Sequence, residues 1–187
     1  NLSDKVDFVD YSIFTEDWYN ANSHIIPKGI AIVDGNLSEW SNDVVWYSLD
    51  KVYSGNPDDI SEARFALQWD DQTGKIYVAV VVYDSDHIFR DDYGNWDASD
   101  RIEIYCQGNA IGGTGWYGIY DDAQHYYVAP NTTGSSWATW ALGDTNDIEN
   151  ILEYVVNVLG EQIIYEVSVT PFDNYGGFSG GETVITN

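Results

Sequence analysis

Residues 63–83 read ARFALQWDDQTGKIYVAVVVY and contain two strand patterns separated by a turn. In 63–69 the apolar residues Phe65, Leu67 and Trp69 alternate with other residues, the period of two that is typical of a strand with one buried face. Residues 70–75 are polar and include Gly74, which indicates a turn. Residues 76–83 are a nearly continuous run of β-branched and aromatic side chains. Such a run predicts a strand in the middle of a sheet, covered on both faces.

Short β-prone runs of the same kind lie on both sides of this stretch. They are separated by Gly, Asp and Asn, and no long amphipathic helix interrupts them. Many short strands without alternating helices favour an all-β fold, an antiparallel β-sandwich, over an α/β fold. The predicted strands outside 63–83 are 44–49, 101–107, 116–120, 124–129, 136–142, 152–158 and 162–169.

Composition limits the classes of function. With 187 residues, 44% hydrophobic and 16% aromatic, the chain can bury the core of one domain. Seven Lys and Arg against 31 Asp and Glu give a net charge of -24, which disfavours nucleic acid as a partner. The same surplus suits oxygen-ligand cations such as calcium or a salty exterior, and it equally fits acidity that serves only solubility.

No run of 18 apolar residues is present, so we expect no membrane insertion. Cys106 is the one cysteine and falls at an apolar strand position, which predicts a buried thiol. Residues 1–29 are a less regular, acidic and aromatic N-terminal extension, and the sandwich is expected over 30–187.

A candidate ligand surface lies in 93–105, where a loop carrying Trp96 leads into a strand. Alternation places Arg101, Glu103 and Tyr105 on one face and Ile102, Ile104 and Cys106 on the other. An aromatic plane beside a carboxylate suits a sugar, because the ring covers C–H groups and the carboxylate accepts hydroxyl hydrogen bonds. The alternative is a half-buried strand with a solvated polar face.

Acidic pairs in the predicted turns offer the oxygen ligands that calcium takes. None reproduces an EF-hand loop, and each alone is more typical of a solvated turn than of a calcium site. The candidate groups are Asp34 with Glu39, Asp84 with Asp86, Asp91 with Asp92, and Asp144 with Asn146 and Asp147.

Sequence patterns of catalysis are weak, and we expect that the protein is not an enzyme. Asp100 and Glu103 resemble a glycosidase pair only in residue type, since such carboxylates must flank a bond across a cleft. The histidines His24, His87 and His125 lack metal-ligand spacing, so surface or strand-end positions are the expectation.

The order of five sequence blocks resembles the family 9 carbohydrate-binding modules and their DOMON-like, jelly-roll-like relatives. The blocks are IVDGNLSEW (32–40), ARFALQWDD (63–71), IYVAVVVYD (76–84), WDASDRIEIY (96–105) and DDAQHY (121–126). The resemblance covers about residues 30–187. It implies Trp96 as a stacking platform and Glu103 as a hydroxyl acceptor, with Arg101, Gln124 and Tyr126 as further sugar contacts.

Two departures from the family pattern are visible. The family has a basic residue where Tyr126 falls, and its members continue beyond 182–187 into closing strands with a second tryptophan. Trp116, Trp137 and Trp140 are the candidates to replace that tryptophan, and the sandwich is expected to lack its closing strands.

Two functions are therefore expected. The first is an extracellular or cell-surface, non-catalytic carbohydrate-binding domain, calcium-stabilised and part of a larger secreted or surface protein, with a polysaccharide or oligosaccharide as its partner. The alternative is a subunit of an extracellular fibre or surface layer. Such subunits self-associate through sheet edges, which recruit strands from neighbouring chains.

Overall fold

The computed structural model describes residues 26–40, 44–50, 58–89, 99–107, 123–140 and 151–171, with the backbone alone at 107, 123–124 and 137–140. These ranges contain one short 3-10 helix, Leu37–Glu39, and eight strands. The strands are β1 (Tyr47–Ser48), β2 (Ile60–Trp69), β3 (Ile76–Asp84), β4 (Ile102–Gln107), β5 (Ala123–Pro130), β6 (Ser136–Trp140), β7 (Leu152–Leu159) and β8 (Gln162–Val169).

The strands form two antiparallel sheets. The larger has five strands in the order β1-β2-β3-β8-β7, and the smaller has three in the order β4-β5-β6. The predicted antiparallel β-sandwich is confirmed. In the described ranges no helix is long and apolar enough to span a membrane.

Most predicted strands lie within two residues of their expected bounds, and the prediction for 116–120 falls outside the described residues. The largest difference is at 44–49, where only Tyr47 and Ser48 pair with β2. Val44 is buried against the face of the large sheet that carries Tyr77 and Ala79. The first residues of the segment therefore cover this face and do not pair with β2.

The inner faces of the two sheets enclose the main core. Alternate residues of β3 and β8, such as Val78 and Tyr165, meet Cys106 of β4 and Tyr126 of β5. Cys106 is 8% exposed, as predicted, and burial raises the pKa of its thiol to about 12. The thiol therefore stays protonated and packs as an apolar group.

The outer face of the large sheet is covered by the segment before β1. Ala31, Val33 and Trp40 pack on Tyr77 and Ala79 of β3. Strand β3 is thus buried on both faces and paired on both edges, which confirms the prediction for 76–83.

The described end of the N-terminal extension joins the same sheet. The Gly29 N–H donates to the Trp69 carbonyl, and the Trp69 N–H donates to the Pro27 carbonyl. The Lys28 ammonium lies 2.7 Å from Asp71 and 5.1 Å from the Trp69 ring centroid.

Candidate functional site

Five polar and aromatic side chains form a cluster on the face of the small sheet opposite the core. Glu103 pairs with Tyr127, and Tyr105 pairs with His125, across the β4–β5 ladder. Directly paired residues share a face, and alternation adds Arg101 to the same face. We call these residues the Glu103 cluster: Arg101, Glu103, Tyr105, His125 and Tyr127.

The Glu103 carboxylate is the centre of this cluster. Oε1 accepts from Arg101 Nη2 at 2.6 Å and from Arg101 Nε at 3.0 Å. Oε2 lies 3.0 Å from His125 Nε2 and accepts from the Tyr105 hydroxyl at 3.2 Å. Because an ionised carboxylate only accepts, Nε2 is the protonated nitrogen of His125.

Aromatic contacts fix the orientation of these side chains. The rings of Tyr105 and His125 stack with centroids 3.8 Å apart, and His125 meets Tyr127 edge-on at 4.8 Å. The Arg101 guanidinium lies over the Tyr127 ring, 5.1 Å from its centroid. The site is therefore rigid before any ligand arrives, which reduces the entropy lost on binding.

Burial separates the supporting residues from the accessible ones. The side chains of Arg101 and His125 are 5% and 8% exposed, that of Glu103 is 20% exposed, and Tyr105 is 43% exposed. Burial raises the pKa of Glu103, but hydrogen bonding to His125 and the Arg101 charge outweigh it and hold that pKa below its usual range. Glu103 is thus an ionised acceptor whose most exposed partner is the Tyr105 hydroxyl.

The structure brings together some of the predicted sugar-binding residues. Arg101 and Glu103 are in direct contact, whereas Trp96 lies outside the described residues and only the backbone of Gln124 is described. Tyr126 is a correction, because its side chain is 0% exposed and packs in the main core. A fully buried side chain cannot meet a ligand, so Tyr126 is removed from the candidate site.

His125 is the residue that sequence reasoning missed. The expectation of a surface or strand-end position is wrong, since His125 lies inside β5 and is buried. Alternation within β5 could not reveal its role. Only the register between β4 and β5 places it opposite Tyr105 and beside Glu103.

A second cluster, here the Asp34 cluster, joins three carboxylates: Asp34 and Glu39 from the first turn and Glu166 from β8. Glu166 is 0% exposed, and burial raises the pKa of its carboxyl. It accepts from Trp40 Nε1 at 2.7 Å and from the N–H groups of Gly35 and Asp34 at 2.8 and 3.1 Å. The predicted pair Asp34 and Glu39 thus meets a third carboxylate that the sequence did not indicate.

A third cluster, here the His87 cluster, consists of Asp84, His87 and Asp100. Asp84 is 5% exposed, while its predicted partner Asp86 is exposed and lies outside the cluster. Burial raises the pKa of Asp84, and it raises that of Asp100 to about 7. Asp91 and Asp92 lie outside the described residues.

No family model and no curated protein matches this chain. Among solved structures, it is similar to a family 9 carbohydrate-binding module from Caldicellulosiruptor kristjanssonii. The complex with cellotriose matches with a TM-score of 0.62 and 23% identity over 78% of this chain and 66% of that one. The complex with glucose matches with a TM-score of 0.56 and 23% identity over 77% of this chain and 66% of that one. The chain here thus spans about 66% of the length of those modules and has a family 9 carbohydrate-binding module-like fold.

Proposed function

We propose that the protein is a non-catalytic carbohydrate-binding domain and that the Glu103 cluster is part of its binding site. The observation that carries the proposal is an ionised, partly accessible carboxylate held next to an exposed aromatic ring on the face of the small sheet opposite the core. The fold supports it, because the similar solved modules were captured with glucose and cellotriose. Short glucose oligosaccharides are therefore the first ligands to test.

In this proposal Glu103 accepts hydrogen bonds from sugar hydroxyls. Its oxygens already receive two N–H groups of Arg101, one of His125 and the Tyr105 hydroxyl. A carboxylate has about four acceptor positions, so a sugar hydroxyl must replace one donor. The Tyr105 hydroxyl is the one replaced, because its 3.2 Å bond is the longest of the four and its residue is exposed. Arg101 and His125 then act as positioning residues.

Calorimetric titration with glucose, cellobiose and cellotriose tests this function. Glu103→Gln removes the charged acceptor and is expected to weaken binding by about 1.5–3 kcal/mol, the usual value of a charged hydrogen bond. Trp96→Ala is expected to remove stacking on the sugar, which weakens binding by ~0.5–1.5 kcal/mol beyond the loss of buried area. Tyr105→Phe is expected to retain binding, since it frees an acceptor position on Glu103.

Glu62→Gln is the matched control, because Glu62 lies on β2 of the other sheet and pairs with Arg64 at 3.3 Å. Equal affinities of the wild type and Glu103→Gln for every ligand that binds would reject the site. Absence of binding to a broad glycan array would reject the function itself.

We also propose that calcium stabilises the domain through the Asp34 cluster and that the domain works outside the cell as part of a larger protein. Three carboxylates within 4.8 Å of one another supply only oxygen ligands, which is the preference of calcium. Binding to the native state alone raises its stability by mass action. Melting curves in calcium and in chelator, at equal ionic strength, are expected to differ for the wild type and to coincide for the double variant Asp34→Asn, Glu39→Gln.

Strand sharing in a fibre or surface layer is the alternative proposal. Its support is β7, an eight-residue strand that forms one edge of the large sheet in the described part of the chain. An open edge of that length can pair with another chain. Light scattering across a range of protein concentrations tests strand sharing. A constant monomer mass rejects it, and a mass that grows with concentration supports it.

A further inference from the structure

The His87 cluster combines one imidazole with two carboxylates at a place where three segments meet. Asp84 ends β3, His87 follows it, and Asp100 precedes β4. One ligand atom of each residue lies within 4.8 Å of the others. The cluster shares no residue with the Glu103 cluster or the Asp34 cluster.

The His87 ring is held by two contacts that leave one nitrogen directed at the carboxylates. Nε2 lies 2.7 Å from the carbonyl oxygen of Gly160, in the turn between β7 and β8. Since a carbonyl only accepts, Nε2 carries the proton. The ring also stacks on Phe89 with centroids 5.1 Å apart and planes inclined by 17°. Position and tautomer of the imidazole are therefore fixed.

The other ring nitrogen, Nδ1, lies beside the carboxylates. Nδ1 is buried and has no hydrogen-bond partner among the described residues, and Asp100 Oδ2 lies 3.8 Å away. In the neutral ring Nδ1 carries a lone pair. A buried acceptor without a hydrogen bond lowers the free energy of unfolding. A ligand bound to Nδ1 would remove this cost.

The two carboxylates accept hydrogen bonds from backbone N–H groups. In the described part of the chain Asp84 accepts the N–H of Asp86 at 2.8 Å, and Asp100 accepts the N–H of Ile88 at 2.8 Å. No Lys or Arg there forms an ion pair with either of them. Two neighbouring carboxylates in a shielded place repel each other unless one is protonated or a cation lies between them.

We propose that Asp84, His87 Nδ1 and Asp100 bind a divalent transition metal ion of the zinc type. Imidazole favours zinc and its neighbours, whereas calcium and magnesium prefer oxygen alone. Metal-bound histidines regularly donate their other N–H to a backbone carbonyl, as His87 does to Gly160. Tetrahedral zinc ligands at ~2.0–2.1 Å are about 3.4 Å apart, so the 3.8 Å separation of Nδ1 and Asp100 Oδ2 closes with a small shift.

The site would tie three segments of the fold together. The ion would join the end of β3 to the start of β4, and through His87 and Gly160 it would brace the β7–β8 turn. With three protein ligands, one tetrahedral position remains for water. The site is separate from the calcium proposed at the Asp34 cluster.

Metal titration of the whole chain, after treatment with chelator, tests the site. Cobalt is the spectroscopic probe, and zinc affinity is measured by competition with a coloured chelator. We expect one equivalent of Co²⁺ to give tetrahedral absorption bands that Zn²⁺ removes and excess Ca²⁺ does not. His87→Gln and Asp100→Asn are each expected to weaken Zn²⁺ binding at least about tenfold. Asp86→Asn, an exposed neighbour outside the cluster, is expected to bind as the wild type does.

Two results would overturn the proposal. One is a wild type that binds no stoichiometric Zn²⁺. The other is Zn²⁺ affinity that survives His87→Gln. Should that variant fail to fold, the proton resonances of the His87 ring in the wild type decide, since they must shift on addition of Zn²⁺.

Discussion

Glu166 shows how one buried carboxylate holds a covering segment on a sheet. Its three N–H donors all come from residues 34–40, which pack over the outer face of the large sheet. Glu166→Gln preserves the shape but replaces one acceptor oxygen with an NH₂ group, leaving buried donors unpaired. We expect a loss of about 1–3 kcal/mol in the free energy of unfolding.

Denaturant unfolding measures this loss, with Glu153→Gln as the matched control. Glu153 is exposed, lies on β7 of the same sheet and is 3.6 Å from Lys75, so its substitution is expected to change stability by less than about 0.5 kcal/mol. Equal stabilities of the two variants would contradict the role given to Glu166.

Glu103 is expected to make stability depend on pH. Its folded-state pKa lies below the usual range, so the native state releases this proton more readily than the unfolded chain does. The resulting stabilisation is complete above the ordinary glutamate pKa of about 4.3 and is lost as pH falls through the lowered folded value. Subtracting the stability of Glu103→Gln from that of the wild type, at each pH between 3 and 7, isolates the effect. If the difference in stability between the wild type and Glu103→Gln does not shrink below pH 4, this role of Glu103 is contradicted.

Local patterns predicted the residues of the Glu103 cluster that lie in β4 or directly before it, and not those that lie in β5. Alternation alone separates Arg101 and Glu103 from the core residue Cys106, as the structure confirms. The pairing of β4 with β5 is non-local, and it decides that His125 meets Glu103 while Tyr126 enters the core. Glu166 was missed for the same reason, since its donors are more than 120 residues away in the sequence.

At the scale of elements, hydrophobic periodicity predicted the strands well, because β2, β3, β4, β5, β7 and β8 each place at least one face against a core. The segment 44–49 is an exception, because only Tyr47 and Ser48 of it form a strand. Val44 and Trp46 pack in the outer layer with Trp40, whereas Tyr47 pairs with β2 and packs against the main core. Composition cannot distinguish these two ways of burying an apolar side chain.

The β7–β8 turn permits a prediction at this scale. Leu159 pairs with Gln162, and Gly160 between them has a φ of 67°. A Cβ at this glycine would meet no atom within 4 Å, so only the left-handed backbone opposes a side chain. We expect Gly160→Ala to lower the free energy of unfolding by about 1–2 kcal/mol.

Gly160→Asn is the matched comparison, because asparagine tolerates the left-handed region better than alanine. In chemical denaturation, Gly160→Asn is expected to lose clearly less free energy of unfolding than Gly160→Ala does. If both variants lose the same stability, the backbone conformation is not the cause.

At the scale of the whole molecule, charge is the dominant feature, and it opposes folding. A net charge of -24 with seven basic residues leaves most carboxylates without a cationic partner. Compaction brings these charges together, so self-repulsion is larger in the folded state than in the extended chain. The buried core and the two-sided cover of β3 must outweigh this repulsion.

Salt should therefore stabilise the protein by screening. The Debye length falls from about 30 Å at 0.01 M to about 10 Å at 0.1 M, which removes most repulsion between distant surface charges. We expect the melting temperature to rise by several degrees over this range, since ~1 kcal/mol corresponds to about 2–4 °C for a chain of this size. Calorimetry in tetramethylammonium chloride and in potassium chloride, with chelator present, separates screening from specific cation binding. Screening predicts the same rise in both salts, and a melting temperature that stays constant in both would show that the folded state is not limited by its own charge.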